Sequence, residues 1–168
     1  MKYFIADLHD KDENVLLYEH RPFATVEEQH YKFIENWNNK VKKDDEVYLV
    51  GDIGDIEILR HLNGKITIVL GNHDDMEKIN KMYPNIKAYD VPIMIDSLWL
   101  SHEPIGYMPP ECPYLNIHGH LHRFIYGLPE RTWKAGNRYF CVSVEQIGYT
   151  PISLEEISKI IKYKECTN

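Results

Sequence analysis

Residues 118–122 read HGHLH, placing His118, His120 and His122 at every second position. Alternate residues of an extended chain share one face, so these imidazoles are set out to meet common partners. Four other clusters carry groups of the same kind: Asp7-Leu8-His9, Gly51-Asp52-Ile53-Gly54-Asp55, Gly71-Asn72-His73-Asp74 and Ser101-His102-Glu103-Pro104. Carboxylates, imidazoles and one amide form the ligand set of borderline divalent metals such as Mn, Fe, Zn, Ni and Co. Too few cysteines lie nearby to suggest a structural zinc site.

These residues must be positioned by the segments that precede them. The runs 2–6 (KYFIA), 46–50 (EVYLV) and 65–70 (KITIVL) are short, apolar and partly β-branched, and each leads into a loop bearing Asp, His or Asn. They read as strands. Between the first two, residues 25–41 open with Thr25 and Glu28 in capping-box spacing. Val26, Phe33, Ile34 and Trp37 then recur near helical spacing, which predicts an amphipathic helix with those side chains in the core. Shorter helices are expected at 55–62, ended by Asn63-Gly64, and at 74–83, stopped by Pro84. The second half reads as strands at 91–96, 98–102, 114–118, 124–128 and 138–144. A closing helix follows at 153–164, with Ser153 as cap and Glu156 at its third position. A βαβα half followed by a β-rich half predicts a mixed α/β sandwich. Binding groups converge where the loops at one end of such a sheet meet.

The 168 residues suit one domain spanning 1–168, with a real hydrophobic core. Apolar residues make up 43% and charged residues 27%, as in ordinary soluble proteins. A net charge of -7 argues against tight, non-specific binding to nucleic acid, yet leaves room for a phosphate substrate because bound divalent ions reverse the local field. Cys112, Cys141 and Cys166 form no CxxC pair or disulfide framework, and no window approaches the roughly 18 apolar residues of a membrane helix. A cytoplasmic location is expected.

The ordered set D-x-H, G-D-x-x-D, G-N-H-D, a lone His and G-H-x-H, spanning residues 7–122, resembles the calcineurin-like metallophosphoesterase superfamily. More loosely, HRPF (20–23), ENWN (35–38) and SVEQIGYTPISLEEI (143–157) resemble a subgroup of small bacterial and phage members. That subgroup often carries a second His soon after D-x-H, where this chain reads DKDEN (10–14). The resemblance implies a four-layer α/β/β/α sandwich and a centre of two divalent ions, with Mn favoured and Fe, Zn, Ni or Co as alternatives. It assigns Asp7, His9 and His122 to one ion, Asn72, His102 and His120 to the other, and Asp52 to both. A bridging carboxylate offsets repulsion between cations roughly 3.5–4 Å apart.

The reaction implied is hydrolysis of a phosphate ester by attack of metal-bound hydroxide, with His73 as general acid, Asp55 orienting His73 and Asp74 supporting the same loop. A phosphodiester is the expected substrate, small or nucleotide-like, because stand-alone members lack cap domains. A phosphomonoesterase and a non-catalytic metal-binding scaffold of the same fold are the alternatives.

Other residues receive plainer readings. His118 reads as a packing or supporting residue, and His20, His30 and His61 as solvated surface. Arg21 could fork onto a substrate phosphate, but pairing with an acidic neighbour such as Asp12 or Glu13 is preferred. GNHD lacks the Lys and Ser or Thr of a P-loop. Cys141, in an alternating pattern, is expected to be buried, and Tyr107 and Met108 are weaker candidates for lining a substrate pocket.

Overall fold

The computed structural model describes residues 1–108, 112–123 and 138–167. Strands β1 (Lys2–Ile5), β2 (Glu46–Leu49), β3 (Lys65–Val69) and β4 (Lys87–Tyr89) run parallel, and β9 (Ile152–Ser153) pairs antiparallel with β1. The sheet order is β4-β3-β2-β1-β9. A second sheet, in the order β5-β6-β7-β8, contains β5 (Ile93–Ile95), β6 (Leu98–Ser101), β7 (Leu115–His118) and β8 (Tyr139–Cys141). Its last three strands are parallel, and β5 is antiparallel to β6.

Side-chain alternation decides the layering. From the first sheet, Tyr3, Ile5, Val47, Leu49 and Ile68 join one core with Phe33 and Trp37 of α2 (Val26–Lys40) and Ile79 of α3 (Met76–Met82). The intervening residues Phe4, Ala6, Val50 and Val69 join a second core with Leu98, Leu100, Ile117 and Phe140 of the other sheet. A strand buried on both faces must be apolar at consecutive positions, which explains the unbroken runs. Two sheets thus pack face to face, flanked by helices. The bridge between Ala6 and Ser143 ties the end of β1 to the segment after β8.

The helix ends follow their local chemistry. Thr25 Oγ1 accepts from the Glu28 amide at 3.1 Å, while Glu28 Oε2 reaches past the cap to the Ala24 amide at 2.6 Å. At α4 (Leu154–Thr167), Ser153 and Glu156 exchange bonds as a reciprocal capping box: Ser153 N to Glu156 Oε2 at 2.8 Å and Glu156 N to Ser153 Oγ at 3.2 Å.

Several boundaries differ from the sequence reading. The helix expected at 55–62 is a 3-10 helix over Ile56–His61, with the Asp55 side chain capping it through the Glu57 amide. The next begins at Met76 rather than residue 74, because the Asp75 side chain accepts from the Lys78 amide and acts as cap. Three elements are additional: α1 (Glu13–Tyr18), capped by Asp12, and strands β4 and β9. The strand expected at 124–128 lies outside the described residues. Among the described residues, no helix is long and apolar enough to cross a membrane.

Candidate metal centre

Strand ends deliver the site. Asp7 and His9 follow β1, Asp52 follows β2, Asn72 and His73 follow β3, His102 follows β6, and His120 and His122 follow β7. Five of these residues hold left-handed backbone conformations, with φ of 59° at Asp7, 42° at His9, 56° at Asp52, 67° at His120 and 48° at His122. For residues with a Cβ this costs on the order of 1 kcal/mol each. Such strain persists where surrounding structure enforces it, and it gathers here at the residues with ligand chemistry.

Asp52 occupies the middle. Its Oδ2 lies 3.3 Å from His9 Nε2 and 3.3 Å from His102 Nε2, while its Oδ1 accepts from the His73 amide at 3.0 Å. His102 Nε2 also stands 3.0 Å from Asn72 Oδ1 and 3.2 Å from His120 Nδ1. The other ring nitrogen, Nδ1, donates to the Val50 carbonyl at 3.0 Å, which fixes the ring and leaves Nε2 for the site. Asp7 is fully buried, and its two oxygens accept from the His120 amide at 3.1 and 2.9 Å. The rings of His9 and His122 stack at 5.1 Å, and the exposed His73 ring meets His9 edge-on at 5.4 Å.

This donor set fits divalent metal. A carboxylate oxygen, an amide oxygen and an imidazole nitrogen all converge on His102 Nε2, a nitrogen that can carry at most one proton. Lone pairs packed together in this way are satisfied by a cation. Two groups, Asp7 with His9 and His122 and Asp7 with Asp52 and His102, each bring one ligand atom per residue within 4.8 Å of the others.

The electrostatics agree. Burial pushes the Asp7 carboxyl above its ordinary range. Burial also acts to raise Asp52, but hydrogen bonds from His102 and His9 outweigh it and hold that carboxyl well below the usual range. Burial disfavours a charged His102, yet Asp52 and Asp7 lift it to about 9. Negative charge at the centre stabilises positive charge on its rim.

The remaining expected residues divide. Asp74 accepts from the amides of Asp52, Ile53 and Gly71 at 2.8, 2.9 and 2.8 Å, so it bolts the loop after β2 to the loop after β3. Asp55 binds Lys11 Nζ at 2.8 Å and the Glu57 amide at 3.1 Å, and among the described residues no hydrogen bond joins it to His73. His118 is buried, contacts the Gly119 carbonyl at 2.9 Å and packs against Tyr139. Burial pushes its imidazole down to about 4, keeping it neutral.

His30 is not a freely solvated surface residue: its Nδ1 lies 2.8 Å from Asp10 Oδ2. Arg21 pairs not with Asp12 or Glu13 but with Glu145, a residue the sequence reading left without a role. The one signal for Glu145 was its place in the quoted SVEQ stretch, which says nothing about which residue it meets. Met108 is buried and Tyr107 is exposed. Cys141 is half-buried, and burial pushes its thiol up to about 11.

The uncharacterized protein MJ1445 of Methanocaldococcus jannaschii is 35% identical over 173 residues, covering 95% of this chain and 90% of its own. The crystal structure of AQ665 from Aquifex aeolicus, a protein of unknown function, superposes with a TM-score of 0.73 and 27% identity, covering 95% of this chain and 98% of its own. The Pseudomonas putida nuclease MPE superposes more loosely, with a TM-score of 0.46 and 20% identity over 72% of this chain and 60% of its own. The family model for the calcineurin-like phosphoesterases matches residues 3–159, and the chain belongs to that family.

Proposed function

We propose that this chain is a two-metal phosphodiesterase acting on a small or nucleotide-like substrate. The observation that carries the proposal is Asp52 Oδ2, equally spaced at 3.3 Å between imidazoles delivered by the two different sheets. Asp7, His9 and His122 would hold one divalent ion, Asn72, His102 and His120 the other, and Asp52 both, with Mn the first candidate. When bound, such a pair supplies Lewis acidity toward phosphoryl oxygens and makes water a stronger acid.

The chain's own residues do the rest. Val50 and Asp74 fix His102 and the two loops, so the donor atoms are set before substrate arrives. His73 is anchored by its amide to Asp52, while its ring is exposed at the rim. In the proposal that ring delivers a proton to the departing ester oxygen as its bond to phosphorus breaks. Asp55 supports the loop by capping the 3-10 helix and pairing with Lys11. The net charge of -7 favours small esters over long nucleic acid. The free thiols Cys112 and Cys141 suit a reducing, cytoplasmic setting.

The test is turnover of a chromogenic phosphodiester and its monoester counterpart with Mn²⁺, each with and without a chelator. Faster, chelator-sensitive hydrolysis of the diester is expected. Preference for the monoester would keep the site and change the reaction. Absence of turnover with metal demonstrably bound would favour the non-catalytic scaffold.

A further inference from the structure

Two of the stretches that resemble the small-member subgroup, HRPF and SVEQ, meet in the interior. Arg21 and Glu145 form an ion pair with side chains 0% and 2% exposed, Arg21 Nε and one terminal nitrogen lying 2.8 and 2.7 Å from Glu145 Oε1. The remaining guanidinium hydrogens go to two backbone carbonyls and one side-chain amide. Arg21 donates to the carbonyls of Asp7 at 2.7 Å and Leu8 at 2.6 Å, and to Gln29 Oε1 at 3.1 Å. Gln29 Nε2 in turn donates to the His9 carbonyl at 3.4 Å. Three consecutive carbonyls of the loop that carries Asp7 and His9 are therefore held by one arginine and one glutamine.

The other end of the pair reaches His122, whose Nδ1 lies 3.1 Å from Glu145 Oε1. A carboxylate at Nδ1 fixes the hydrogen there and leaves Nε2 with its free lone pair. Asp7, His9 and His122 form one candidate metal group. By contrast, His102 is oriented by the Val50 carbonyl, outside this network.

We infer that Arg21, Gln29 and Glu145 are positioning residues for one of the two metal sites, setting His122 against Asp7 and His9, while the His102 ring is oriented without them by Val50. This deepens the metal-centre reading and rests on it. The physical point is that His122 arrives from the second sheet, whereas Asp7 and His9 come from the first. A planar guanidinium with donors on several edges can index both segments at once, which a lysine cannot do.

The experiment is calorimetric titration of the metal-free protein with Mn²⁺, beside thermal unfolding of the same metal-free samples. Wild type is expected to take up two ions. Glu145→Ala should weaken one step by about 10–100-fold and leave the other within about threefold. Glu145→Gln, whose amide oxygen can still accept from His122, should recover most of that loss. A purely structural role would lower the unfolding temperature and leave both steps unchanged, which overturns the inference. Equal weakening of both steps, or a third step lost with Glu145, overturns it as well. Should Glu145→Ala not fold, Gln29→Met carries the same one-step expectation at smaller magnitude. Uptake of no Mn²⁺ by wild type would overturn the metal-centre reading along with the inference, whereas two ions with both steps insensitive would overturn the inference alone.

Discussion

Asp52 Oδ2 is 3.3 Å from His9 Nε2, and the same oxygen is 3.3 Å from His102 Nε2, so one carboxylate joins loops from both sheets. Removing that carboxylate leaves facing imidazoles with no anion between them and a deeply buried site without its central charge. Asp52→Ala is expected to retain far less than wild-type metal, by elemental analysis after dialysis, and to lose hydrolysis with it. Undiminished metal content would remove Asp52 from the centre.

His73 differs from Asp52 although the two touch. Its contact with Asp52 is made by its backbone amide, which survives any side-chain substitution except proline. His73→Ala should therefore bind metal like wild type and lose about 10²–10⁴-fold in turnover, most for substrates with basic leaving groups. Metal content and rates with two leaving groups, measured on one preparation, check this. Loss of metal comparable to Asp52→Ala would refute the division of roles.

Much of the site is legible in the sequence because strand-to-loop transitions are. Apolar runs ending abruptly at Asp7, Asp52 and Asn72 place ligand types at strand ends, but the extended-chain reading of HGHLH fails: β7 stops at His118, and His120 and His122 stand beyond it in left-handed conformations. What escapes is whatever depends on contacts distant in sequence. Arg21 and Glu145 are 124 residues apart, and nothing local to Arg21 distinguishes Glu145 from Asp12 or Glu13. Burial decides, since a guanidinium with no exposure needs a partner equally withdrawn from water. His30 escapes for the same reason, because its partner Asp10 becomes buried only when the loop after β1 folds inward. The six residues of α1 and three of β4 are too short for periodicity to register. The left-handed conformations at five ligand-type residues have no sequence signature, since glycine would ordinarily be expected there.

Gly71 matters through proximity. A Cβ built at this position would stand 2.1 Å from Asp52 Oδ1 and 2.5 Å from the Asp52 amide nitrogen, distances no packing adjustment of a few tenths of an ångström can relieve. Gly71→Ala must push Asp52 or the loop after β3 aside. The expected outcome is loss of metal at a stability cost of about 1–3 kcal/mol, with the fold retained. Circular dichroism and metal content separate these effects. Normal metal binding by Gly71→Ala would show that Asp52 can move without penalty.

Away from the centre, Glu156 sets an acid limit on stability. Burial acts to raise its carboxyl, but Lys40 Nζ at 2.8 Å and the bonds from Ser153 outweigh it and bring it down to about 2, from an ordinary value of 4.5. Between those two pH values the unfolded chain binds the extra proton, so stability rises with pH across the window. The contribution is complete above about pH 4.5 and is lost as pH falls toward 2. Glu156 is 44% exposed, so solvent screening limits the capping box and ion pair together to about 1 kcal/mol. Glu156→Gln, whose amide oxygen can still serve the capping box, should be less stable than wild type at pH 7 by less than that amount, and the gap should narrow steadily below pH 4.5. Urea unfolding of both proteins at pH 7, 5, 4 and 3 measures it. A gap that stays constant over this range would mean the carboxylate's charge contributes nothing to holding α4 against α2.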